Sequence, residues 1–435
     1  MPSARLMLAT AAAVLTTAPA AFAATLGPDQ PAVTPAAKPG SELAARADLS
    51  RGELRDELAA ALADDGSAGG AWVFDTEATG DAVLFSDNGS REMIPASNQK
   101  LFVTAALLAE LGPTARLETR VYARGKLGGR GDSVVGGDLV LVGDGDPSFG
   151  TGRFARANDQ PATRVSQLAR NVAAAGVKRV EGRILADDSI FDRERRAGPD
   201  LSPLSGLSFN NGYDGGDYAQ SPELVAAKGL KSALRKRGVR VDGQVGRANL
   251  PAATLESEPL AAVASPTVAK LIEETNVPSN NFFAEMLLKR LAATSGRKGT
   301  RHRGNDKVET FAASVGTAVE SVDGSGLSRK NRVSPEHVGQ LLVAMAKDEQ
   351  NAAAFRDSLP VAGREGTVAD RMRGTAAEGN CATKTGTLSD VSALSGYCEA
   401  GGHTVVFSTL MNDANVDAAR GAQDRIAAAV ARYQP

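Results

Sequence analysis

The chain has 435 residues, enough for two or three domains at ~100–200 residues each and for a core that needs no staples. Its 49 Lys plus Arg against 51 Asp plus Glu leave a net charge of -2, so no overall field draws it to nucleic acid or to an anionic membrane. Three His and two Cys leave little material for zinc, iron–sulfur or haem ligation, and no metal or cofactor is expected.

In chain order the first feature is a targeting segment. Arg5 is followed by the uncharged apolar run Leu6 to Thr17 and by the small-x-small site Ala21-Phe22-Ala23. This reads as a signal peptide over residues 1–23, cut after Ala23. The apolar run is shorter than the ~20 residues a membrane span needs. The expectation is an exported chain, secreted or loosely wall-associated, without stable membrane insertion. Residues 24–42, with Pro28, Pro31, Pro35 and Pro39, read as a Pro/Ala-rich linker.

Three textures follow. Residues 43–115 open with the helical spacing Leu49, Leu54, Leu58, Leu62 and continue with a strand over Ala71 to Phe74. Residues 116–262 alternate short β-type runs with Gly and Asp, such as Asp138 to Gly143 and Val180 to Leu185. From 263 helices return, then two strands over 381–399, a strand from His403 to Met411 and a C-terminal helix through Ile426 and Val430. A β-rich block between two helix-rich blocks suggests an insertion, 116–262, into one discontinuous domain, 43–115 with 263–435.

Candidate chemistry starts at Pro95-Ala96-Ser97-Asn98-Gln99-Lys100, which runs into the apolar stretch Leu101 to Leu108 and the stop signal Gly112-Pro113. Residues three apart share a helix face, so a Ser97 hydroxyl and a Lys100 ammonium can meet. A Lys packed among apolar groups loses its charge readily, and neutral it can serve as a base towards Ser. Alone the motif is cheap: Ser97 as a helix cap and Lys100 as a solvated residue explain it as well, and Ser295-Gly296-Arg297-Lys298 repeats the spacing in a loop. Pro278-Ser279-Asn280-Asn281 offers Ser279 as a proton relay and the Asn281 carboxamide as a substrate amide partner, although Ser-x-Asn recurs at Ser86 and Ser208. The only Lys-Thr-Gly, Thr383-Lys384-Thr385-Gly386-Thr387, sits in a strand where Gly386 permits close approach. Lys384, Thr385 and Thr387 there offer a charge and two hydroxyls to a substrate carboxylate.

Taken in order, Ser-x-x-Lys, Ser-x-Asn and Lys-Thr-Gly form a joint signature. The chain resembles the class C low-molecular-mass penicillin-binding proteins, the D-alanyl-D-alanine carboxypeptidase/endopeptidase family, in which a long insert separates the first two motifs. Asp144-Gly145-Asp146-Pro147-Ser148, Asp323-Gly324-Ser325-Gly326-Leu327-Ser328-Arg329 and Ser358-Leu359-Pro360-Val361-Ala362-Gly363 add local likenesses. The resemblance implies an α/β (α+β) fold: a discontinuous penicillin-binding, serine β-lactamase-like transpeptidase domain with an inserted β-rich domain. It implies an acyl-enzyme in which Ser97 attacks the bond between two D-alanines, Lys100 takes its proton, and Ser279 with Lys384 passes a proton to the leaving amine. Backbone N–H groups of Ser97 and Thr387 would form the oxyanion hole. Asn281, Thr385, Gly386 and Thr387 would bind substrate, with Thr387 and Lys384 ranking above Thr385 on strand alternation. By the same resemblance Asp146, Ser325 and Arg329 would face the free end of a diamino-acid side chain. The partners implied are peptidoglycan stem peptides and β-lactam antibiotics as covalent inhibitors.

The alternatives are a serine β-lactamase, which would need an added carboxylate to activate the deacylating water, and a non-catalytic penicillin-sensing or wall-binding protein. A Ser-His-Asp hydrolase would need a Gly-x-Ser-x-Gly elbow, which the chain lacks. Finally, two strands over Cys381–Leu388 and Val391–Cys398 joined by Ser389-Asp390 would place Cys381 opposite Cys398. In an exported chain that register predicts a disulfide, with two reduced, buried cysteines as the alternative.

Overall fold

The computed structural model describes residues 48–63, 69–125, 127–128, 133–198, 201–251, 257–294 and 296–435. The signal peptide and the linker read over 1–42, and Ser295 of the discarded repeat, lie outside the described residues. The helix Arg51–Ala63 (α1) leads into the strands Gly70–Asp75 (β1) and Val83–Asp87 (β2) and then a 3-10 turn, Ala96–Asn98, that opens directly into the helix Gln99–Leu111 (α2). Next come the strands Arg116–Arg124 (β3) and Asp138–Val142 (β4), the helix Val165–Ala174 (α3), the strand Ile184–Asp187 (β5), the helix Pro222–Arg235 (α4) and the strands Val245–Arg247 (β6) and Ala261–Thr267 (β7). The helices Val268–Asn276 (α5), Asn281–Ala292 (α6), Arg301–Ser314 (α7) and Pro335–Ala346 (α8) follow. The strands Cys381–Leu388 (β8), Val391–Ala400 (β9) and His403–Asn412 (β10) precede the last helix, Val416–Val430 (α9).

One antiparallel sheet has the order β8-β9-β10-β1-β2, so the N-terminal β1 zips against the C-terminal β10, from Gly70 opposite Leu410 to Asp75 opposite Val405. Both faces of this sheet are covered. Successive side chains of a strand point to opposite faces. Leu394 and Cys398 of β9 therefore pack with α1 and α9 through Leu54, Leu58, Ile426 and Val430, while Ala393 and Tyr397 join Leu101, Met286 and Leu341 of α2, α6 and α8. Burial on both sides also encloses polar residues of these strands, Thr383, Ser392, Ser395, Ser408 and Thr409 among them. Helix α2 is buried on every face from Gln99 to Leu108, as expected of a helix that is apolar all round. A left-handed Gly112 (φ 79°) ends it.

A second sheet has the order β6-β5-β4-β3-β7. The pairs β5/β6 and β5/β4 are parallel, β3/β4 and β3/β7 antiparallel. Helices α3 and α4 cover one face, with Leu168, Val172, Leu230 and Leu234 against Val121, Leu139 and Ile184. Two expectations need correction. The run Val180 to Leu185 is not one strand: Val177–Val180 belongs to a separate small sheet, and the turn at Gly182 hands the chain over to β5. A Cβ at Gly182 would lie 2.5 Å from the Gly137 carbonyl oxygen, so only glycine allows that crossing. Helix does not return at 263 either. The strand β7 runs through to Thr267 because it pairs along β3, and Thr267 caps α5 by accepting from the Lys270 N–H.

Candidate active site

The three motifs meet at the N-terminus of α2. Ser97 sits in the 3-10 turn, one turn before Lys100, and Lys100 Nζ donates to Ser97 Oγ at 2.9 Å. The other two ammonium donors go to Asn281 Oδ1 at 2.7 Å and to the Ser325 carbonyl at 2.5 Å. Lys100 is fully buried. Burial pushes it down from 10.5 to about 7, against the pull of the Asp323 and Glu285 carboxylates, which favours the charged form. Near neutral pH it is therefore available both as an amine and as an ammonium. That is the condition for giving and taking a proton at one position.

Asn281 is the first residue of α6, capped by Asn280, whose carboxamide accepts from the Phe283 N–H. Ser279, just before it, is held at φ 59°, a left-handed conformation uncommon for serine. This turns its hydroxyl towards β8, where Lys384 Nζ donates to Ser279 Oγ at 2.9 Å. Lys384 is buried as well and lies well below its usual value, first through burial and then through the charge of Lys100. Gly386 explains itself by proximity, since a Cβ there would stand 2.7 Å from the Pro95 carbonyl oxygen and 3.0 Å from the Ser97 nitrogen. No larger residue lets β8 approach the nucleophile turn so closely.

Strand β8 is the sheet edge. Thr383 N–H donates outward, away from β9, to the Pro360 carbonyl at 2.9 Å. In an antiparallel edge strand alternate residues point their N–H groups outward, so those of Thr385 and Thr387 open towards the cleft. The cleft measures about 500 Å³ and is lined by Ser97, Ser279, Asn281, Leu327, Thr367, Arg371, Thr385, Thr387 and Arg420. Buried Thr385 and exposed Thr387 both line it, and the Thr385 hydroxyl donates to Thr367 Oγ1 at 2.7 Å. Both residues line the cleft because it runs along the strand edge, with Thr387 the more exposed of the two. A second pocket of about 530 Å³, between α1 and α9, holds none of the motif residues.

Three of the expected substrate contacts do not reach the cleft. Asp146 is buried and its carboxylate is taken up by the Ser148 N–H and hydroxyl (2.8 and 2.7 Å) and by the Thr163 hydroxyl. Ser325 is fully buried. Its carbonyl holds Lys100 and its N–H donates to Glu285 Oε1 at 2.8 Å, so it supports the base from behind. Arg329 forms a two-pronged pair with Asp390 at 2.6 and 2.9 Å, which leaves its guanidinium engaged at the β8–β9 turn. Conversely, the cleft contains Arg371 and Arg420, which no sequence pattern pointed to. Arg371 is held by Asp424 (2.9 Å) and Gln423 (3.2 Å) of α9, and Arg420 donates to Thr387 Oγ1 at 3.4 Å. These contacts join separate elements 33 to 53 residues apart, which leaves no local spacing to read.

Cys381 and Cys398 face each other in the β8–β9 register and form a disulfide, with an S–S distance of 2.04 Å. The bridge closes the base of the hairpin that carries Lys384, Thr385 and Thr387.

With this geometry in view, the comparisons with known proteins agree. The model of the D-Ala-D-Ala carboxypeptidase 3 (S13) family matches residues 54–203 and 217–433. The chain is 32% identical to the D-alanyl-D-alanine carboxypeptidase of Actinomadura sp. (strain R39), over 88% of this chain and 85% of that one. It is 30% identical to the carboxypeptidase DacB of Mycolicibacterium smegmatis, over 81% and 78%. Its fold is that of penicillin binding protein 4 from Haemophilus influenzae, with a TM-score of 0.70 at 21% identity over 85% of this chain and 97% of that one. The predatory peptidoglycan endopeptidase Bd3459 of Bdellovibrio bacteriovorus is more distant, at a TM-score of 0.51. A family match across most of the chain, on the strands and helices that bring Ser97, Ser279 and Lys384 together, means that this chain belongs to the D-Ala-D-Ala carboxypeptidase 3 (S13) family of serine peptidases.

Proposed function

We propose that Ser97 is the acylated nucleophile of this D-Ala-D-Ala carboxypeptidase and that Lys100 is its base. The observation that carries the assignment is the convergence of three short motifs on one cleft, with Lys100 bonded to Ser97 and Asn281, and Lys384 bonded to Ser279. Neutral Lys100 takes the Ser97 proton as Oγ attacks the carbonyl between the two D-alanines of a peptidoglycan stem peptide. The outward N–H of Thr387 and the N–H of Ser97 receive the oxyanion, each such donor contributing ~3 kcal/mol in related chemistry. The proton passes to the leaving amine from Lys100 or along Ser279–Lys384. Water then releases the shortened peptide from Ser97.

The leaving D-alanine carries a carboxylate. Arg371, Arg420 and the hydroxyls of Thr385 and Thr387 make the corresponding end of the cleft an anion site. An endopeptidase substrate whose leaving amine sits beside a carboxylate meets the same groups, so cross-link cleavage is within reach of the site. The lining of the cleft contains no carboxylate among the described residues, which argues against a β-lactamase that deacylates through a carboxylate-activated water. Penicillins should therefore acylate Ser97 and stay. Haemophilus influenzae penicillin binding protein 4 has been crystallised with a β-lactam. Such substrates and inhibitors are met outside the cytoplasm, consistent with export by the segment 1–23. No described helix is long and apolar enough to cross a membrane. The residues 116–262 act in this reading as an inserted domain beside a catalytic domain formed by 43–115 and 263–435.

The test is to incubate the chain with a fluorescent penicillin and separately with a peptide ending in D-Ala-D-Ala. A stable adduct on Ser97 and released D-alanine are expected, and Ser97→Ala should abolish both. Labelling of Ser97→Ala at the parental rate would overturn the assignment.

A further inference from the structure

Beside the catalytic cleft lies a second pocket, of about 530 Å³, and Asn281 lines both. One wall is aromatic. Phe154, Tyr213 and Tyr218 follow one another with ring centroids 6.2 and 5.1 Å apart. Tyr213 and Tyr218 face each other across a small hairpin turned by Gly215-Gly216. Tyr218 is 44% exposed, which is unusual among the large apolar side chains described. Nearby stand the carboxamides of Asn158, Gln160 and Asn211, with Asn211 Nδ2 donating to Gln160 Oε1 at 3.0 Å. Asn210 and Asn211 are both left-handed, at φ 49° and 53°. Backbone held in such conformations is concentrated where a ligand is clamped.

The pocket also differs from its neighbour in charge. Among the described residues, none lining it is ionised at neutral pH, whereas the catalytic cleft carries two arginines. Tyrosines that present a ring face and a hydroxyl, together with carboxamides that both donate and accept, suit a ligand that is uncharged, ring-shaped and rich in hydroxyl and amide groups. A pyranose with an N-acetyl group has those properties. The free side chains of a stem peptide, with their carboxylates and ammonium, do not. In peptidoglycan the carboxyl that would charge the sugar is consumed in its amide to the peptide. A stem of four residues reaches at most roughly 14 Å, so the sugar of a peptide seated at Ser97 stays within that distance of the cleft, which the pocket adjoins at Asn281.

We propose that this pocket is a carbohydrate subsite holding an N-acetylated pyranose of the glycan strand whose stem peptide lies in the catalytic cleft. The inference rests on the carboxypeptidase reading of that cleft. It makes the preferred substrate a glycan-borne peptide rather than a free one. The hairpin of Tyr213 and Tyr218, in the segment between the first two motifs, thereby acquires a role in choosing substrates.

The experiment compares D-alanine release from a free pentapeptide with release from the same pentapeptide attached to the N-acetylglucosaminyl-N-acetylmuramyl disaccharide. The parent chain should use the glycan-borne substrate with a kcat/KM about tenfold higher, expressed in KM, the scale of one or two ring contacts. Tyr213→Ala and Tyr218→Ala should erase that advantage and leave free-pentapeptide turnover and penicillin acylation at parental rates, while Tyr218→Phe should keep it. Equal kcat/KM for the two substrates in the parent would overturn the subsite. So would an advantage that survives both alanine variants, or a loss of free-peptide activity in Tyr218→Ala as large as the loss on the glycan-borne substrate, which would make the pocket a peptide site. Release from neither substrate would overturn the catalytic reading instead. The pocket is then decided by saturation-transfer NMR with the disaccharide alone. Transfer to the acetyl methyls that disappears in Tyr213→Ala supports the subsite, and no transfer to the parent chain refutes it.

Discussion

The sheet of β8, β9, β10, β1 and β2 and the sheet of β6, β5, β4, β3 and β7 treat charge in opposite ways. In the second region, polar groups are settled locally. Asp242 pairs with Arg179 and Arg240 at the surface, and Asp146 is satisfied by Ser148 and Thr163 inside. Around the first sheet, Lys100, Lys384 and Glu285 are fully buried, and the charge of Lys100 adds to burial in pushing Lys384 towards the neutral form. Burying charges without full compensation costs stability. The catalytic region bears that cost because an amine that is neutral near pH 7 is what the chemistry uses, and the other region has no such need.

Removing the buried base breaks this contrast most severely. Lys100→Ala should slow acylation by penicillin about 10²- to 10⁴-fold, measured as adduct formation by mass spectrometry. Because the buried lysine is a liability to folding, the thermal midpoint should not fall along with the rate. A variant that unfolds but acylates normally once folded would count against Lys100 as the base.

Glycines separate the regions more finely. Gly386→Ala drives a Cβ against the Pro95 carbonyl and the Ser97 nitrogen, both backbone atoms. A shift of the nucleophile turn should cost about 10²-fold in acylation. Gly246→Ala in β6 meets only the tip of Leu185, at 3.0 Å, and should leave acylation within a factor of two of the parent, given that a flexible side chain can yield. Equal effects from the two substitutions would mean that close approach at Gly386 is not what the motif requires.

Arg420 tests the polarity of the cleft. Arg420→Ala should raise KM about tenfold for peptides ending in a free carboxylate and leave kcat within a factor of two. A matching peptide amidated at its C-terminus should lose little. If both peptides weaken equally, Arg420 shapes the cleft without reading charge.

What was legible in the sequence follows the same division. Ser97 with Lys100, and Lys384 with Gly386 and Thr387, lie on single elements, where helix and strand spacing determine what can meet. The Cys381–Cys398 pairing follows from hairpin register alone. Arg371, Arg420 and Glu285 were invisible because α9 and the 366–372 turn reach the cleft, and the middle of α6 reaches the loop behind Lys100, only through tertiary packing. Asp146 and Arg329 were misplaced for a related reason. A charged residue in a recurring stretch looks available until its local partners, Thr163 and Asp390, are seen. The strand through 267 was missed because Ala261–Thr267 has no alternation of its own and owes its state to pairing with β3.

The smallest expected effect concerns Glu285, which lies behind the base. Its Oε1 accepts from the Gly324 and Ser325 N–H groups at 3.0 and 2.8 Å and so shapes the loop whose carbonyl holds Lys100. Burial, and after it the charge of Asp323, raises its carboxyl to about 7. When ionised, it favours the charged form of Lys100 and so raises the pKa of the base. Acylation needs neutral Lys100, so the rate should climb as pH rises through about 7. Glu285→Gln keeps an accepting oxygen and removes the charge, so the pKa of Lys100 should fall and the climb should move to lower pH. Because Glu285 is itself largely protonated below pH 7, the displacement should stay under about one pH unit. The pH profile of penicillin acylation for the two proteins decides it. A midpoint that stays put or moves upward would show that Glu285 positions the Ser325 loop without tuning the base.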